Sequence, residues 1–436
     1  MLSGPFRIES LAYTGWGVTH DQNGKALFVD AAIPGDLVQV EITQEHARYN
    51  NTRIHELLEP SSHRVFPRCP HAASCGGCTL QHLDYQQQLN WKRSFVCDAL
   101  KRIAHLDACE EKVAETLFTP SEWGYRNKIE LVPVPEGKRL TLGYHARHSN
   151  AVIPVTSCLL FPESQKDLPA RLSGALSYAL GTDCDQLKRV AVRVSERTGD
   201  SELSLWMEPS PCSRQFLSKV IAGILPSTSL TRVLAAGEVG KRDVRRVEVL
   251  SGRGYWCELL AGLTYKVSAP SFFQVNTSAA ELLVNTVVEL VGEPSQTVID
   301  LYSGVGSFTL PLAKRNHTLT AVESEKSSVR DLRRNLADNG LEAEVVGGGV
   351  EYELPRLTAS DCILVDPPRR GLSSRALKTI IEADPQTLIY VSCDPATLGR
   401  DLRSFLLSGF TLASITPVDL FPQTYHVESV ALLKKS

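Results

Sequence analysis

Between residues 298 and 401 the chain repeats one unit: a short apolar, β-branched run, a sharp turn, then a stretch with helical periodicity. That alternation predicts a mostly parallel, doubly wound sheet with helices on both faces. The runs start at Val298, Leu319, Cys362 and Leu388. The last breaks into Ser-Cys-Asp-Pro at 392–395, with Pro395 suited to the first position of a helix. In such sheets, ligands and reacting groups collect beyond the carboxyl ends of the strands. Asp300, Glu323, Asp366 and Cys393 all fall there.

The turn after the first strand contains Ser-Gly-Val-Gly at 303–306, so the backbone can approach a ligand closely. Glu323 ends the next strand, where this kind of fold places a carboxylate that grips a ribose. There is no Walker-type lysine loop, and the third glycine of the dinucleotide fingerprint is missing. S-adenosylmethionine, with ribose hydroxyls and no phosphates, fits better than NAD or ATP. Cys393 leaves a buried strand just ahead of a helix whose amides and dipole favour negative charge, which makes it a candidate nucleophile. A buried core thiol is the competing reading.

The rest of the 436 residues must form one or two further domains. Over 6–58, short β-like runs (6–11, 25–29, 33–42) alternate with Gly and Pro turns. They suit a small OB-type barrel, which binds oligonucleotides or serves as a packing module. Cys69, Cys75 and Cys78 follow as C-x5-C-x2-C in a Gly-containing loop, and Cys158 stands downstream. Three close thiolates and a distant fourth suit a cubane iron-sulfur cluster, with structural zinc as the alternative. Residues 84–106 read as an amphipathic helix. Trp123, Tyr125, Arg126 and Lys128 mark a strand start that stacks on unpaired bases and pairs with phosphates, or else forms an exposed mixed edge. Residues 130–270 read as mainly β, with helices near 165–180 and 212–225 and strands over 247–260 and 263–267. A basic cluster, Lys241, Arg242, Arg245 and Arg246, precedes those strands.

A formal net charge of −3 argues against a uniformly basic nucleic-acid binder but allows a local positive face. With no basic-apolar leader and no apolar run of membrane-span length, the reading is a cytoplasmic protein with no membrane partner. The 11 cysteines then read as thiols or metal ligands rather than a disulfide framework. Nothing suggests more than a monomer.

Six motifs occur together in order: the four cysteines, Ser-Phe-Phe-Gln-Val-Asn at 271–276, Asp-Leu-Tyr-Ser-Gly-Val-Gly at 300–306, Asp-Pro-Pro-Arg at 366–369, Ser-Cys-Asp-Pro at 392–395, and Asp-Leu-Phe-Pro-Gln-Thr-Tyr-His-Val-Glu at 419–428. On these the chain resembles the bacterial uracil-C5 RNA methyltransferases, most closely the branch that carries an iron-sulfur cluster and modifies 23S ribosomal RNA. The resemblance implies a multidomain α/β protein. Residues 1–60 would be a TRAM (OB-like) RNA-binding barrel. Residues 61–268 would be a central, mainly β domain whose Cys69, Cys75, Cys78 and Cys158 hold a structural [4Fe-4S] cluster, with a helix at about 84–110 packing on the catalytic domain. Residues 269–436 would be a Rossmann-like class I methyltransferase domain that uses S-adenosyl-L-methionine. Gln274, Tyr302, Glu323 and Asp366 match positions lining the cofactor and target pocket, Cys393 the nucleophile and Glu428 the general base; His426 is the competing base, read as a structural residue of the turn. Rival readings are a uracil-C5 enzyme acting on transfer RNA, an amino-group methyltransferase built on Asp-Pro-Pro, and a non-catalytic iron-sulfur RNA-binding protein.

Overall fold

The computed structural model describes residues 2–107, 111–209, 212–225, 228–236, 243–293 and 295–435. Among these the strands form four sheets. The sheet that carries the site runs in the order Glu344–Gly347, Thr318–Glu323, Thr297–Leu301, Cys362–Val365, Thr387–Ser392, Glu428–Lys435, Phe410–Val418. Its first five strands are parallel, and the last two pair antiparallel. Strands such as Cys362–Val365 are buried along their whole length because helices cover both faces. Thr277–Val291 and Lys326–Asp338 bring Leu283, Val287 and Leu332 to one face. Ser374–Glu382 and Pro395–Leu407 bring Ile380, Leu398 and Phe405 to the other. This is the doubly wound arrangement the sequence predicts.

Register then places the site. Ser392 pairs with Ser429 across the antiparallel step, so one residue further out Cys393 and Glu428 lie side by side at the sheet's carboxyl edge.

The helix expected over 84–106 is Tyr85–Ala99, continued by a π-helical turn at Leu100–Ala104 and ended by His105 in the left-handed region. Asp84 caps it, accepting from the Gln87 amide. Val96, Leu100 and Ala104 join the apolar cluster of Leu398 and Leu402, so this helix packs on the C-terminal sheet as expected.

The N-terminal sheet runs Leu2–Arg7, Leu37–Glu45, Tyr49–Glu59, Ala26–Asp30, Gly17–His20, Ser10–Leu11. Its two outer strands are successive pieces of one chain path, so the sheet curls into a half-barrel over Ile8, Leu27, Val29, Val38 and Val40. The central sheet runs Asp243–Ser251, Thr228–Ala236, Ser201–Met207, Leu187–Val194, Lys128–Glu136, Arg139–His145, Val152–Pro154, with helices Leu168–Leu180 and Arg214–Ala222 packed into its core. The run expected to continue over 247–260 is two strands. Gly252 and Gly254, at φ 75° and 76°, turn the chain out of the central sheet. Trp256–Leu260 then pairs with Leu263–Val267 in a hairpin whose Trp256, Leu260 and Tyr265 belong to the C-terminal core. Of the basic cluster, Lys241 and Arg242 lie outside the described residues, while Arg246 is exposed beside Glu248 at 3.4 Å. No helix among the described residues is long and apolar enough to cross a membrane.

Candidate active site

The ten residues matched by the family resemblance line one cavity of about 900 Å³: Gln274, Tyr302, Glu323, Asp366, Cys393 and Glu428 toward the C-terminal sheet, and Cys69, Cys75, Cys78 and Cys158 toward the central domain; Asp300 lies behind this lining.

The glycine turn forms the first wall. Tyr302 has φ 62°, an uncommon conformation for a bulky residue, held between Leu301 at the strand end and Ser303, whose amide bonds Val322 O at 3.1 Å. Gly306 is at φ 95°, and a Cβ there would lie 2.4 Å from Leu310 and 2.5 Å from Leu332, so only glycine fits. Glu323 fixes the turn from the next strand: its carboxylate accepts from the Gly304 amide at 2.9 Å and the Glu325 amide at 2.6 Å. Asp300 accepts from the Thr309 hydroxyl through one oxygen, while the other is buried without a partner. Burial pushes the Asp300 carboxyl up to about 7. A glycine turn open to the cavity, flanked by carboxylates and free of any lysine loop, fits a cofactor with ribose hydroxyls and a positive sulfonium. Gln274 reaches the cavity from a segment clamped by Asn127, whose side-chain amide donates to the Gln274 carbonyl at 2.8 Å.

The second wall holds the candidate reactive groups. Cys393 sits between strand Thr387–Ser392 and helix Pro395–Leu407. The helix N-terminus expected to favour a thiolate there is already occupied. Asp394 takes the first-turn amides for itself, accepting from Ala396 and Thr397 at 2.9 Å each. Burial, then Glu428 and Asp366, push the Cys393 thiol up to about 12, with Arg369 acting in the opposite direction. Burial, then Asp366, push Glu428 up to about 8, again against Arg369. Burial and Asp300 push Asp366 up to about 7. The cavity therefore holds a cluster of mutually repelling acids, each favoured in its neutral form. Clusters of this kind can relay protons near neutral pH. His426, depressed to about 3 by burial and by Arg369, is a neutral ring near the Arg369 guanidinium.

Other residues escaped the sequence reading. Arg369 lies in the Asp-Pro-Pro-Arg motif but had no assigned role. Lys92, wholly buried, donates to Asp419 at 2.5 Å and to the Phe421 carbonyl at 3.0 Å, anchoring the segment that leads to Glu428. The aromatic-basic run is split between the cavity and the core. Tyr125 is buried with its hydroxyl donating to the Pro422 carbonyl at 3.0 Å. Trp123, Arg126 and Lys128 line the cavity instead of an outer edge, and Trp123 carries the Arg68 guanidinium 5.0 Å from its ring centroid. The intervening Asn127 turns inward to hold Gln274, which draws the whole run into the interdomain junction.

The four clustered cysteines are free thiols. Burial first, and then one another, raise the Cys69, Cys75 and Cys78 thiols, and Cys158 acts on all three. Such a set is relieved by deprotonation onto a metal centre. Among the described residues no three His, Cys, Asp or Glu converge tightly enough for a single ion. A cubane asks less convergence, since each thiolate binds a different iron. The chemistry of the donor set, four thiols lining one cavity, is that of such a group.

Fold and cleft together define a Rossmann-like methyltransferase. A profile of the family described as "tRNA (Uracil-5-)-methyltransferase" matches residues 260–346 and 353–436. An uncharacterized RNA methyltransferase of Thermosynechococcus vestitus is 35% identical, covering 99% of this chain and 97% of that protein. One of Caldanaerobacter subterraneus is 32% identical over 98% and 97%. The crystal structure of Pyrococcus abyssi tRNA (uracil-54, C5)-methyltransferase with S-adenosyl-L-homocysteine superposes with a TM-score of 0.75 at 25% identity, covering 99% of this chain and all of that one. The chain belongs to the S-adenosylmethionine-dependent RNA (uracil-C5) methyltransferase family.

Proposed function

We propose that this protein methylates carbon 5 of a specific uridine in 23S ribosomal RNA, with Cys393 as nucleophile and Glu428 as general base, acting as a monomer in the cytoplasm. The observation that carries the chemistry is the adjacency of Cys393 and Glu428 on one cavity wall, where Glu428 raises the Cys393 thiol.

Carbon 5 of uracil is a weak nucleophile. A thiolate adding to carbon 6 pushes electron density onto carbon 5, and splitting one hard step into two easier ones is what a covalent nucleophile achieves. S-adenosylmethionine supplies an electrophilic methyl group when bound; Gln274, Tyr302, Glu323 and Asp366 would line its place. After carbon 5 has been methylated, its proton must leave so that the C6–S bond can break and release Cys393. Glu428, near neutrality by virtue of burial, is suited to take it. Arg369, which favours the charged form of both groups, would ease thiolate formation. The target base must leave its stack to reach the cavity.

The half-barrel's strand order supports assigning 1–60 as a TRAM domain. The four thiols on the cavity's far side support a [4Fe-4S] cluster held by 61–268, with 269–436 as the catalytic domain. The ribosomal substrate rests on the resemblance to the iron-sulfur branch. The Pyrococcus enzyme, by its name, acts on transfer RNA, which makes that the second reading. Incubating the protein with S-adenosylmethionine and unmodified 23S or transfer RNA transcripts, followed by nucleoside mass spectrometry, separates them. 5-Methyluridine in 23S RNA alone is expected. Its appearance only in transfer RNA would move the substrate, and an N-methylated base in place of 5-methyluridine would overturn the thiol mechanism.

A further inference from the structure

Gln423 stands five residues before Glu428 and does not line the cavity. Its backbone is in the left-handed region at φ 70°, a conformation that its surroundings must hold in place for a residue with a side chain. Contacts from three other segments do so. Its carbonyl accepts from the Thr79 and Leu80 amides, each at 3.0 Å. Its amide donates to Gln88 Oε1 at 3.0 Å, and Gln88 Nε2 returns a bond to its Oε1 at 3.1 Å. Its own Nε2 donates to Glu122 Oε2 at 3.2 Å. Two residues on, the Tyr425 amide donates to the Thr79 hydroxyl at 3.1 Å. Thr79 directly follows Cys78.

The loop bearing Cys69, Cys75 and Cys78 is thus clamped onto the segment that presents Glu428. Cys393 hangs from strand Thr387–Ser392 and helix Pro395–Leu407; that strand pairs with Glu428–Lys435 at Ser392 and Ser429, beyond the clamped segment. We infer that Gln423 is a positioning residue that ties the cysteine loop to the general base, so that disturbing the loop displaces Glu428 while leaving Cys393 in place. This rests on the reading of Cys393 as nucleophile and Glu428 as base. The clamp predicts a particular defect. Thiol addition at carbon 6 and methylation of carbon 5 proceed, but the carbon 5 proton is not removed, the C6–S bond does not break, and a methylated RNA–protein adduct accumulates.

The test uses full-length, anaerobically purified protein in single-turnover reactions with RNA tritiated at uridine carbon 5. Adduct is followed by denaturing electrophoresis and proton loss by tritium release. In Gln423→Ala, adduct should form at close to the wild-type rate while tritium release slows roughly 100-fold, the scale on which a 1 Å misplacement acts. Thr79→Val, a milder change that removes only the hydroxyl bonded to Tyr425, should shift the same ratio in the same direction. If Gln423→Ala does not fold, Thr79→Val decides. Equal slowing of both steps, or no change in either, would overturn the inference while the thiol mechanism stands. Absence of any adduct in the wild type under rapid quench would overturn that mechanism and this inference with it.

Discussion

The Tyr13 hydroxyl donates a 3.1 Å hydrogen bond to the backbone carbonyl of Cys393, 380 residues away in the chain. Its ring packs edge-on against Phe95 and Tyr425, at centroid distances of 5.6 and 5.3 Å. Burial, reinforced by nearby Asp394 and Cys393, drives its pKa far above the ordinary range, so it remains a donor at any working pH. The N-terminal half-barrel thereby touches the turn that carries the proposed nucleophile.

Tyr13→Phe keeps the ring and removes only this bond. A net hydrogen-bond contribution of about 0.5–1.5 kcal/mol translates into adduct formation slower by roughly two- to tenfold. RNA affinity, measured by filter binding, should be unchanged. An unaltered adduct rate would show that the contact does not hold the turn in its reactive position.

The acid cluster sets the pH dependence. Glu428 must be ionised to accept a proton, and its carboxyl lies at about 8. Proton release should therefore rise about tenfold per pH unit below that value and level off above it. In the free enzyme, alkylation of Cys393 by iodoacetamide should keep rising well past pH 9, because the thiol lies at about 12. Arg369→Ala removes the cation that lowers both groups, so both profiles should move to higher pH. Rates measured by peptide mass spectrometry and tritium release check the pair.

Glu428 also affects stability. Its pKa rises from an ordinary 4.5 in the unfolded chain to about 8 in the fold. Between those values the unfolded chain loses its proton while the fold keeps it, so this group's contribution is full below about 4.5 and lost as pH rises through 8. Glu428→Gln, which cannot ionise, should melt at a higher temperature than wild type at pH 8, with the gap closing by pH 5. Differential scanning fluorimetry at both pH values reads this directly.

Lys92 and Asp419 form an ion pair with both side chains at 0% exposure. Burial depresses the lysine, and Asp419 counters it. Lys92→Met leaves the Asp419 carboxylate buried without its cation, so urea unfolding should show a loss of about 3–5 kcal/mol. A loss below about 1 kcal/mol, the scale of an exposed pair, would contradict this anchoring role.

The catalytic half was legible because its signals are local. The strand-turn-helix period places Asp300, Glu323 and Asp366 at strand ends without tertiary information. Cys393 was legible in position but not in ionisation, since its acidity depends on Glu428 and Asp366, brought in by strands far along the sequence. Glu428 itself came only from the motif resemblance; the pairing of Ser392 with Ser429 that sets it beside Cys393 is a register no local pattern reveals. Tyr13, Lys92 and Gln423 escaped for the same reason, as each makes its decisive contact more than 300 residues away. The run from Trp123 to Lys128 was legible in composition but not in placement, since Asn127 and Tyr125 pull it inward against Gln274 and Pro422.

The most direct measurement of the central claim is a trapping reaction. The protein is given S-adenosylmethionine and RNA containing 5-fluorouridine, whose fluorine cannot leave carbon 5 as a proton does, and the products are run on a denaturing gel. The account predicts a stable RNA–protein adduct, mapped by peptide mass spectrometry to Cys393 and absent in Cys393→Ala. An adduct persisting in Cys393→Ala, or methylation that survives in that variant, would contradict it.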